Sequence, residues 1–373
     1  MQINKFVDYT RLDQKTFEIA GAIEANLLKF INPQNLTEEK NNFFKMISMG
    51  EKYNPKFNYL PRTNFTPYFS TNSKLNTYKN ELSEMMNEIR HDELGLVFES
   101  EIIDQLEKIE LIKSIGTENF SANSESYYGG LERKAIQHAK KIIQQEATEN
   151  ETPIPFEEAI SEIKQALKKE NLHYKIVLRE PAGSKFAVIN SRRELLINKD
   201  AVFTKQTVGR FIAHEIQTHI YRYENGLCQP YKLLAHGFSR ETTETEEGLA
   251  VCVEKMLGVS SEKQIKEYAG RLVAISEAQK KNFFETFNEM KKNFDEEKAF
   301  RLTLRAKRGI KSQENEGAFF KDALYFNGML KVEEFLKEHS PKELYYGKYS
   351  IYDLPLVRDI PGLKEPKHYP NFN

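Results

Sequence analysis

The sequence Phe211-Ile212-Ala213-His214-Glu215-Ile216-Gln217-Thr218-His219-Ile220 places two histidines and a glutamate inside an otherwise apolar helical pattern. Imidazole is among the commonest zinc ligands, and a glutamate next to one ligand can accept a proton from metal-bound water. His214 and His219 are five residues apart, which on a regular α-helix is about 140° of rotation. A π-turn, which closes from residue i to residue i+5, would bring the two rings together. The segment therefore predicts a distorted helix that carries half of a zinc site. The alternative is a pair of unrelated histidines on a buried helix.

Length and charge exclude several classes of protein. The chain has 373 residues, enough for one large or two modest domains with a substantial core. It has 54 Lys and Arg against 55 Asp and Glu, so we expect no nucleic acid and no membrane as a partner. We find no secretory signal pattern and no run approaching about 18 apolar residues. The two cysteines, Cys228 and Cys252, form no CxxC pair. These features predict a soluble, cytoplasmic protein without a thiolate metal site.

The expected fold class is α+β, mainly helical with a small antiparallel sheet beside a zincin-like HExxxH helix. Up to about residue 150 the pattern is helical and polar. A polar stretch with a proline at residues 147–153 then indicates a boundary, which predicts a helical N-terminal region (1–150) and a catalytic domain (151–373). Strand signals follow at Tyr174–Leu178, Lys185–Ile189 and Glu194–Ile197, and they lead straight into the histidine segment.

A catalytic zinc usually has three protein ligands and one open position, so the two histidines need a partner. The segment Ser239–Val251 begins a second amphipathic helix and contains Glu246 and Glu247. Thr243 and Glu246 have the spacing of a capping box, which would explain Glu246 structurally and leave Glu247 free. Helical phase favours Glu246 instead, because it lies nearer the apolar stripe. The pattern alone leaves both glutamates open as the third ligand.

Several blocks of the sequence together resemble a known family, the QEGLA-motif proteins, which are labelled in bacteria as flavohemoglobin-expression-modulating. The same family is similar to the microtubule-associated tyrosine carboxypeptidases of animals. The resemblance spans about Tyr174 to the C-terminus. Its blocks are His214–His219, Asn225-Gly226, Gln229-Pro230, Glu247–Ala250, Arg305–Gly309, Gly317–Phe319, Lys321–Tyr325 and Gly347-Lys348.

The resemblance implies a zinc metallopeptidase in which His214, His219 and Glu247 bind Zn²⁺ and Glu215 is the general base. Two positions depart from the family pattern. The residue before Glu247 is a glutamate where the bacterial family has Gln, so a second carboxylate lies beside the expected ligand. Gln217 occupies a position where a small residue is usual.

Hydrolysis of a peptide at such a site needs a base, an oxyanion donor and, in a carboxypeptidase, a cation. Glu215 would accept a proton from the zinc-bound water, which then attacks a carbonyl polarised by the metal. Tyr325 is the expected oxyanion donor, on the resemblance and on its position in a helix with an apolar face. A carboxypeptidase also needs a cation for the terminal carboxylate; Arg305 and Arg308 are the main candidates and Lys321 a weaker one. The structural alternatives are core packing for Tyr325 and helix-dipole charge for the arginines.

The sequence therefore predicts a zinc-dependent metallopeptidase, and specifically a carboxypeptidase that acts on the C-terminus of a peptide or protein. Two alternatives stay open. One is a zinc hydrolase that acts on a non-peptide amide, and the other is a non-catalytic zinc-binding protein that acts through its helical surface. Glu215 favours catalysis, because a closed structural zinc site has no use for a base.

Overall fold

The N-terminal part of the chain is helical. The computed structural model describes residues 8–59, 66–90, 92–147, 152–179 and 186–372. Two helix N-termini here have side-chain caps, since Asp8 accepts a hydrogen bond from the amide of Arg11 and Asp92 from that of Gly95. Such caps each contribute about 1 kcal/mol. The described residues before position 148 form six helices: α1 (Tyr9–Phe30), α2 (Leu36–Ser48), α3 (Thr66–Met86), α4 (Glu93–Ser114), α5 (Phe120–Tyr128) and α6 (Arg133–Ile143).

Two small sheets come next in the chain, with α7 (Phe156–Lys169) between their strands in sequence. In one sheet, β1 (Pro153–Ile154) pairs with β5 (Phe203–Thr204) in antiparallel fashion. The other contains the three predicted strands. They are β2 (Lys175–Arg179), β3 (Phe186–Ile189) and β4 (Glu194–Asn198), in the spatial order β2-β4-β3.

The three-stranded sheet is mixed, so the prediction of an antiparallel sheet is wrong for one of its two pairs. β3 and β4 are antiparallel, because the short turn at Asn190–Arg192 reverses the chain between them. β2 pairs with β4 in parallel. The central position belongs to the most buried strand: Leu195 and Ile197 of β4 are fully buried, whereas Leu178 of β2 is 54% exposed. β4 pairs with a strand on each side and buries one face, whereas the residues of its other face are partly exposed.

The histidine segment lies within one continuous helical rod. It begins with α8 (Lys205–Phe211), where Thr204 and Thr207 form a capping box, and ends with α9 (Tyr221–Leu227). Between them, Ile212–Ile220 is a π-helix, which confirms the distortion predicted from the histidine spacing. Phe211 at the end of α8 packs on Phe186 of β3, with ring centroids 4.5 Å apart.

Seven further α-helices follow this rod among the described residues, and α10 and α11 pack against it. α11 and α15 pack closely where Gly248 meets Gly328, since a Cβ on Gly248 would lie 2.2 Å from the carbonyl carbon of Gly328. Only two glycines permit such a close approach of two backbones. The helices are α10 (Leu233–His236), α11 (Glu241–Met256), α12 (Glu262–Ala278), α13 (Phe283–Lys291), α14 (Glu296–Lys307), α15 (Ala323–Phe335) and α16 (Leu354–Arg358).

Hydrogen bonds join the N-terminal helices to the later part of the chain. The carboxylate of Asp13 on α1 accepts the amides of Lys232 and Leu233 at 2.7 and 2.8 Å, at the start of α10. Ser121 and Ser124 of α5 accept the amides of Ala318 and Phe320. The predicted boundary near residue 150 falls at residues 148–151, which lie outside the described ranges, and the division into two domains stays a prediction. Within the described ranges, no helix is both long enough and apolar enough to cross a bilayer.

Candidate metal centre

The π-helix brings the two histidine rings to one side of the rod. The ring centroids of His214 and His219 are 4.9 Å apart and nearly perpendicular. The hydroxyl of Thr218 donates to the carbonyl of Ala213 at 2.9 Å, which gives that carbonyl a partner in the wider turn. Both rings are shielded from solvent, since only 7% of the His214 side chain and 12% of the His219 side chain is exposed.

Glu247 of α11 faces both rings. Its Oε2 lies 3.6 Å from Nε2 of His214 and 3.7 Å from Nε2 of His219. Among the residues that the structure describes, these three side chains form the group of histidines and acids that is suited to a metal ion, with ligand atoms all within 4.8 Å of one another.

The donor set is compatible with zinc. Oε2 of Glu247 is buried and has no hydrogen-bond partner in the described part of the chain. Leaving a buried polar atom unpaired costs about 1–3 kcal/mol, so a missing partner is expected there. Tetrahedral Zn²⁺, with bonds of about 2.0–2.2 Å, separates neighbouring ligand atoms by about 3.4 Å, which is close to the separations from Glu247.

Each histidine uses its other ring nitrogen to contact a second glutamate. Nδ1 of His214 lies 2.6 Å from Oε1 of Glu254, and Nδ1 of His219 lies 2.8 Å from Oε1 of Glu246. These contacts occupy Nδ1 and leave Nε2 facing Glu247.

Glu246 does not cap a helix, so the predicted capping box is wrong. α11 begins at Glu241 with Arg240 as its N-cap, so Thr243 already lies inside the helix. The carboxylate of Glu246 instead pairs with Arg222 and, at 3.2 Å, with Lys348. Both of its oxygens are engaged by these cations and by His219, so Glu247 rather than Glu246 is free to bind a metal.

Burial and the neighbouring charges shift the protonation equilibria of the site. Burial raises the pKa of Glu247, but the nearby ring of His214 and the charges of His219 and Lys321 outweigh it and lower that pKa to about 2. Burial lowers the pKa of His214, but its contacts with the carboxylates of Glu247 and Glu254 raise the pKa to about 10. The two carboxylates therefore favour the protonated form of His214, and a metal ion bound by this ring would have to displace a proton.

Glu215, the predicted base, lines a cleft of about 360 Å³ that His214 also lines. The cleft walls include His214, Phe211 and Tyr325. Glu215 is half-buried, and its charge raises the pKa of Arg179, although burial lowers that pKa more strongly. The structure thus brings the predicted base and the predicted oxyanion donor into one cleft with a predicted ligand.

Tyr325 stands in a stack of rings. Its ring is nearly parallel to that of His214, at 6.1 Å between centroids, and to that of Tyr268, at 5.4 Å. The guanidinium of Arg271 lies 4.5 Å from the centroid of Tyr325 and 5.0 Å from that of Tyr268. Burial and the charge of Glu247 raise the pKa of Tyr325 well above its usual value. The hydroxyl is therefore protonated and able to donate.

The predicted arginines cluster around Asp322. Arg305 pairs with both oxygens of Asp322 and also lines the cleft. Arg308 lies 3.7 Å from the same carboxylate, over the ring of Phe319. Lys321 is half-buried, and its charge contributes to the lowered pKa of Glu247. All three predicted cations therefore lie in this part of the molecule, and Arg305 is the one of them that lines the cleft.

Sequence reasoning missed two residues of the site, Arg271 and Glu254. Arg271 lines the cleft on α12, and Glu254 contacts His214 from α11. The sequence offers a way to find both of them. Arg271 follows the uncharged run Tyr268–Gly270, and Glu254 follows the apolar run Leu249–Val253. A charge in such a position needs a buried partner or a function.

Comparison with known families gives a match over nearly the whole chain. The family model described as "Microtubule-associated tyrosine carboxypeptidase" matches residues 41–372. The match includes all the residues of the site and extends across residue 150. No curated protein matches the chain significantly.

Proposed function

Since the chain belongs to the microtubule-associated tyrosine carboxypeptidase family, we propose that it is a zinc-dependent metallocarboxypeptidase, which removes C-terminal residues from a peptide or protein. The observation that carries this proposal is the group of His214, His219 and Glu247 next to a cleft lined by Glu215. A purely structural metal site has no need of an open cleft or of an acid beside it.

The chain's own residues divide the chemistry between them. A zinc ion held by His214, His219 and Glu247 would supply a Lewis acid and lower the pKa of a water molecule towards about 7. Glu215 adjoins His214 in sequence and lines the cleft, so its carboxylate accepts the proton of the attacking water. The same carboxyl group then delivers the proton to the leaving amine.

Tyr325 stabilises the oxyanion that forms when the carbonyl is attacked. Its raised pKa keeps the hydroxyl protonated, and its stacking between His214 and Tyr268 fixes the ring. A donor held in place before the reaction needs no reorganisation as charge develops, which is why such donors contribute strongly to catalysis.

Arginines on the cleft wall bind the terminal carboxylate. Arg271 and Arg305 line the cleft, and Arg308 lies 3.7 Å from the carboxylate of Asp322. The charge of Asp322 acts on all three guanidinium groups. One carboxylate faces three cations, so the cluster of these four side chains has a net positive charge. Nε of Arg271 and Nε of Arg308 are buried without a hydrogen-bond partner among the described residues. Lys321 is a weaker candidate for the same role.

Peptides with free and amidated C-termini test the proposal. The zinc-loaded protein is incubated with matched peptide pairs that differ only in the terminal group, and the products are identified by mass spectrometry. We expect stepwise loss of single residues from the free acid and no loss from the amide, because only the acid has a carboxylate for the arginines. Cleavage inside the peptides, or equal processing of both forms, would contradict a carboxypeptidase.

A further inference from the structure

Nδ1 of each histidine contacts a glutamate other than Glu247. The following inference from these contacts rests on the proposed zinc site. We propose that Glu246 and Glu254 are positioning residues for the two histidine ligands. Each carboxylate accepts the Nδ1 proton of one ring and so holds that ring with Nε2 turned towards Glu247. The two residues do not touch the metal or the substrate; they act through His219 and His214.

The distances define two parallel chains of contacts. In the first, Glu254 lies 2.6 Å from Nδ1 of His214, whose Nε2 lies 3.6 Å from Glu247. In the second, Glu246 lies 2.8 Å from Nδ1 of His219, whose Nε2 lies 3.7 Å from Glu247. α11 therefore supplies the carboxylate ligand and both orienting carboxylates, while the π-helix supplies both rings.

Each orienting carboxylate is itself fixed. Oε1 of Glu254 accepts the hydroxyl of Tyr268 at 2.7 Å and lies 3.7 Å from a guanidinium nitrogen of Arg210. Glu246 pairs with the fully buried Arg222 and with Lys348. A carboxylate held in this way can fix both the tautomer and the plane of the ring that it contacts.

Stability alone does not account for Glu254. Its side chain is fully buried, and its Oε2 has no hydrogen-bond partner within the described ranges. Burying a carboxylate with incomplete pairing is unfavourable, and an apolar residue of similar size would serve the core better. The contact with His214 supplies the reason for a charge at this position, because a carboxylate on Nδ1 makes the imidazole a stronger metal ligand.

Zinc affinity is the direct test, measured without peptide by competition with a chromophoric chelator. We expect Glu246→Gln and Glu254→Gln each to weaken zinc binding about 10- to 100-fold. Glu244→Gln is the matched control. Glu244 lies on the same helix and is ion-paired with Lys331 at 2.8 Å, but it contacts neither histidine. Its replacement should leave the affinity unchanged.

A spectroscopic measurement distinguishes a change in the orientation of the histidine ligands from a general loss of stability. The Co²⁺-loaded wild type and variants are compared by visible absorption, which reports ligand geometry, and the metal-free proteins are compared by melting temperature. We expect altered Co²⁺ spectra for Glu246→Gln and Glu254→Gln and an unaltered spectrum for Glu244→Gln. If Glu254→Gln fails to fold, Glu254→Asp keeps the charge but withdraws the carboxylate from Nδ1, and it should weaken zinc binding as well.

The outcomes distinguish the two proposals. Wild-type protein that binds no zinc would overturn the proposed function and this inference with it. Wild type that binds zinc, with Glu246→Gln and Glu254→Gln (or Glu254→Asp) equal to it in affinity and Co²⁺ spectrum, would overturn the positioning role and leave the proposed function standing.

Discussion

Gly248 and Gly328 meet at the crossing of α11 and α15, where a Cβ on the first would lie 2.2 Å from the carbonyl carbon of the second. Gly248 follows Glu247, and Gly328 lies one turn after Tyr325. The contact therefore sets the distance between the helix of the proposed carboxylate ligand and the helix of the predicted oxyanion donor.

Gly248→Ala should be strongly destabilising, because the added methyl group meets backbone that cannot move without separating the helices. Overpacking of this kind costs about 1–3 kcal/mol. Unfolding in urea, monitored by circular dichroism, measures the change. Gly130→Ala is the control, since its Cβ would meet only a side-chain oxygen of Glu125 at 3.4 Å. Equal stability of the two variants would contradict the helix contact.

Glu215→Gln should abolish peptide trimming while the zinc stays bound, because Glu215 adjoins a ligand without being one. Loss of a positioned general base costs about 10² to 10⁴ in rate. The assay is the release of C-terminal residues at matched zinc content. Glu241→Gln, at a partly exposed position on α11, should keep wild-type activity. A Glu215→Gln variant with undiminished activity would refute the assigned base.

Glu247→Gln should lower the zinc content of the purified protein well below one ion per chain. The substitution replaces an anionic ligand with a neutral amide, while the two histidines remain. Elemental analysis of protein prepared without chelator gives the stoichiometry. Wild type is expected to hold about one zinc, as a three-ligand site predicts. Full occupancy in the variant would show that the third ligand is another residue.

Arg271→Lys should raise the KM for peptides with a free C-terminus by about tenfold, equivalent to roughly 1.4 kcal/mol. Lysine keeps the charge but loses the planar fork that matches a carboxylate. Arg301→Lys is the control, because Arg301 shares the partner Glu267 but is 39% exposed at the edge of the cleft. Steady-state kinetics measure both variants, and similar KM values for the two would remove Arg271 from substrate binding.

His236 should make the fold less stable in acid. It is buried between the rings of Phe17 and Tyr223, and its Nε2 has no partner in the described part of the chain. Burial, followed by the charges of Lys348 and Lys108, lowers its pKa to about 3.

Protonation of His236 favours the unfolded state. The folded state binds this proton less readily than the unfolded state, whose histidine has a pKa of about 6.5. The stability associated with His236 is complete above about pH 6.5 and is lost as the pH falls towards 3. Glu24, 3.9 Å from Nδ1, is the nearest opposing charge. His236→Phe should therefore flatten the fall in unfolding free energy between about pH 6.5 and 4.5, and replacing the exposed His173 by Gln should not.

The local parts of this structure could be predicted from the sequence, and the non-local pairings could not. Five-residue spacing of His214 and His219 is incompatible with a shared face of an α-helix, so the spacing itself predicts a π-turn. The order of β2, β4 and β3 depends on which strands pair with each other, and the pattern of a single strand does not reveal its partners.

Within the site, too, the contacts between residues distant in sequence could not be predicted. The position of Arg271 in the sequence does not identify its partners, because Tyr325 and Asp322 lie about 50 residues further along the chain. The three-residue spacing of Thr243 and Glu246 predicts a capping box, and helical phase alone leaves Glu246 open as a metal ligand. Its actual partners come from the π-helix rod and from the segment that contains Lys348.

Arg222 ties the metal centre to a distant part of the chain. Besides pairing with Glu246, it donates to the carbonyls of Leu344, Gly347 and Tyr349. A nascent chain that has not yet reached Leu344 lacks these acceptors, so they do not hold Arg222 in place beside Glu246. Because these contacts close loops of more than 120 residues, they form late in folding. Zinc acquisition is thus expected to follow synthesis of this segment, and a growing polypeptide would carry no premature peptidase activity.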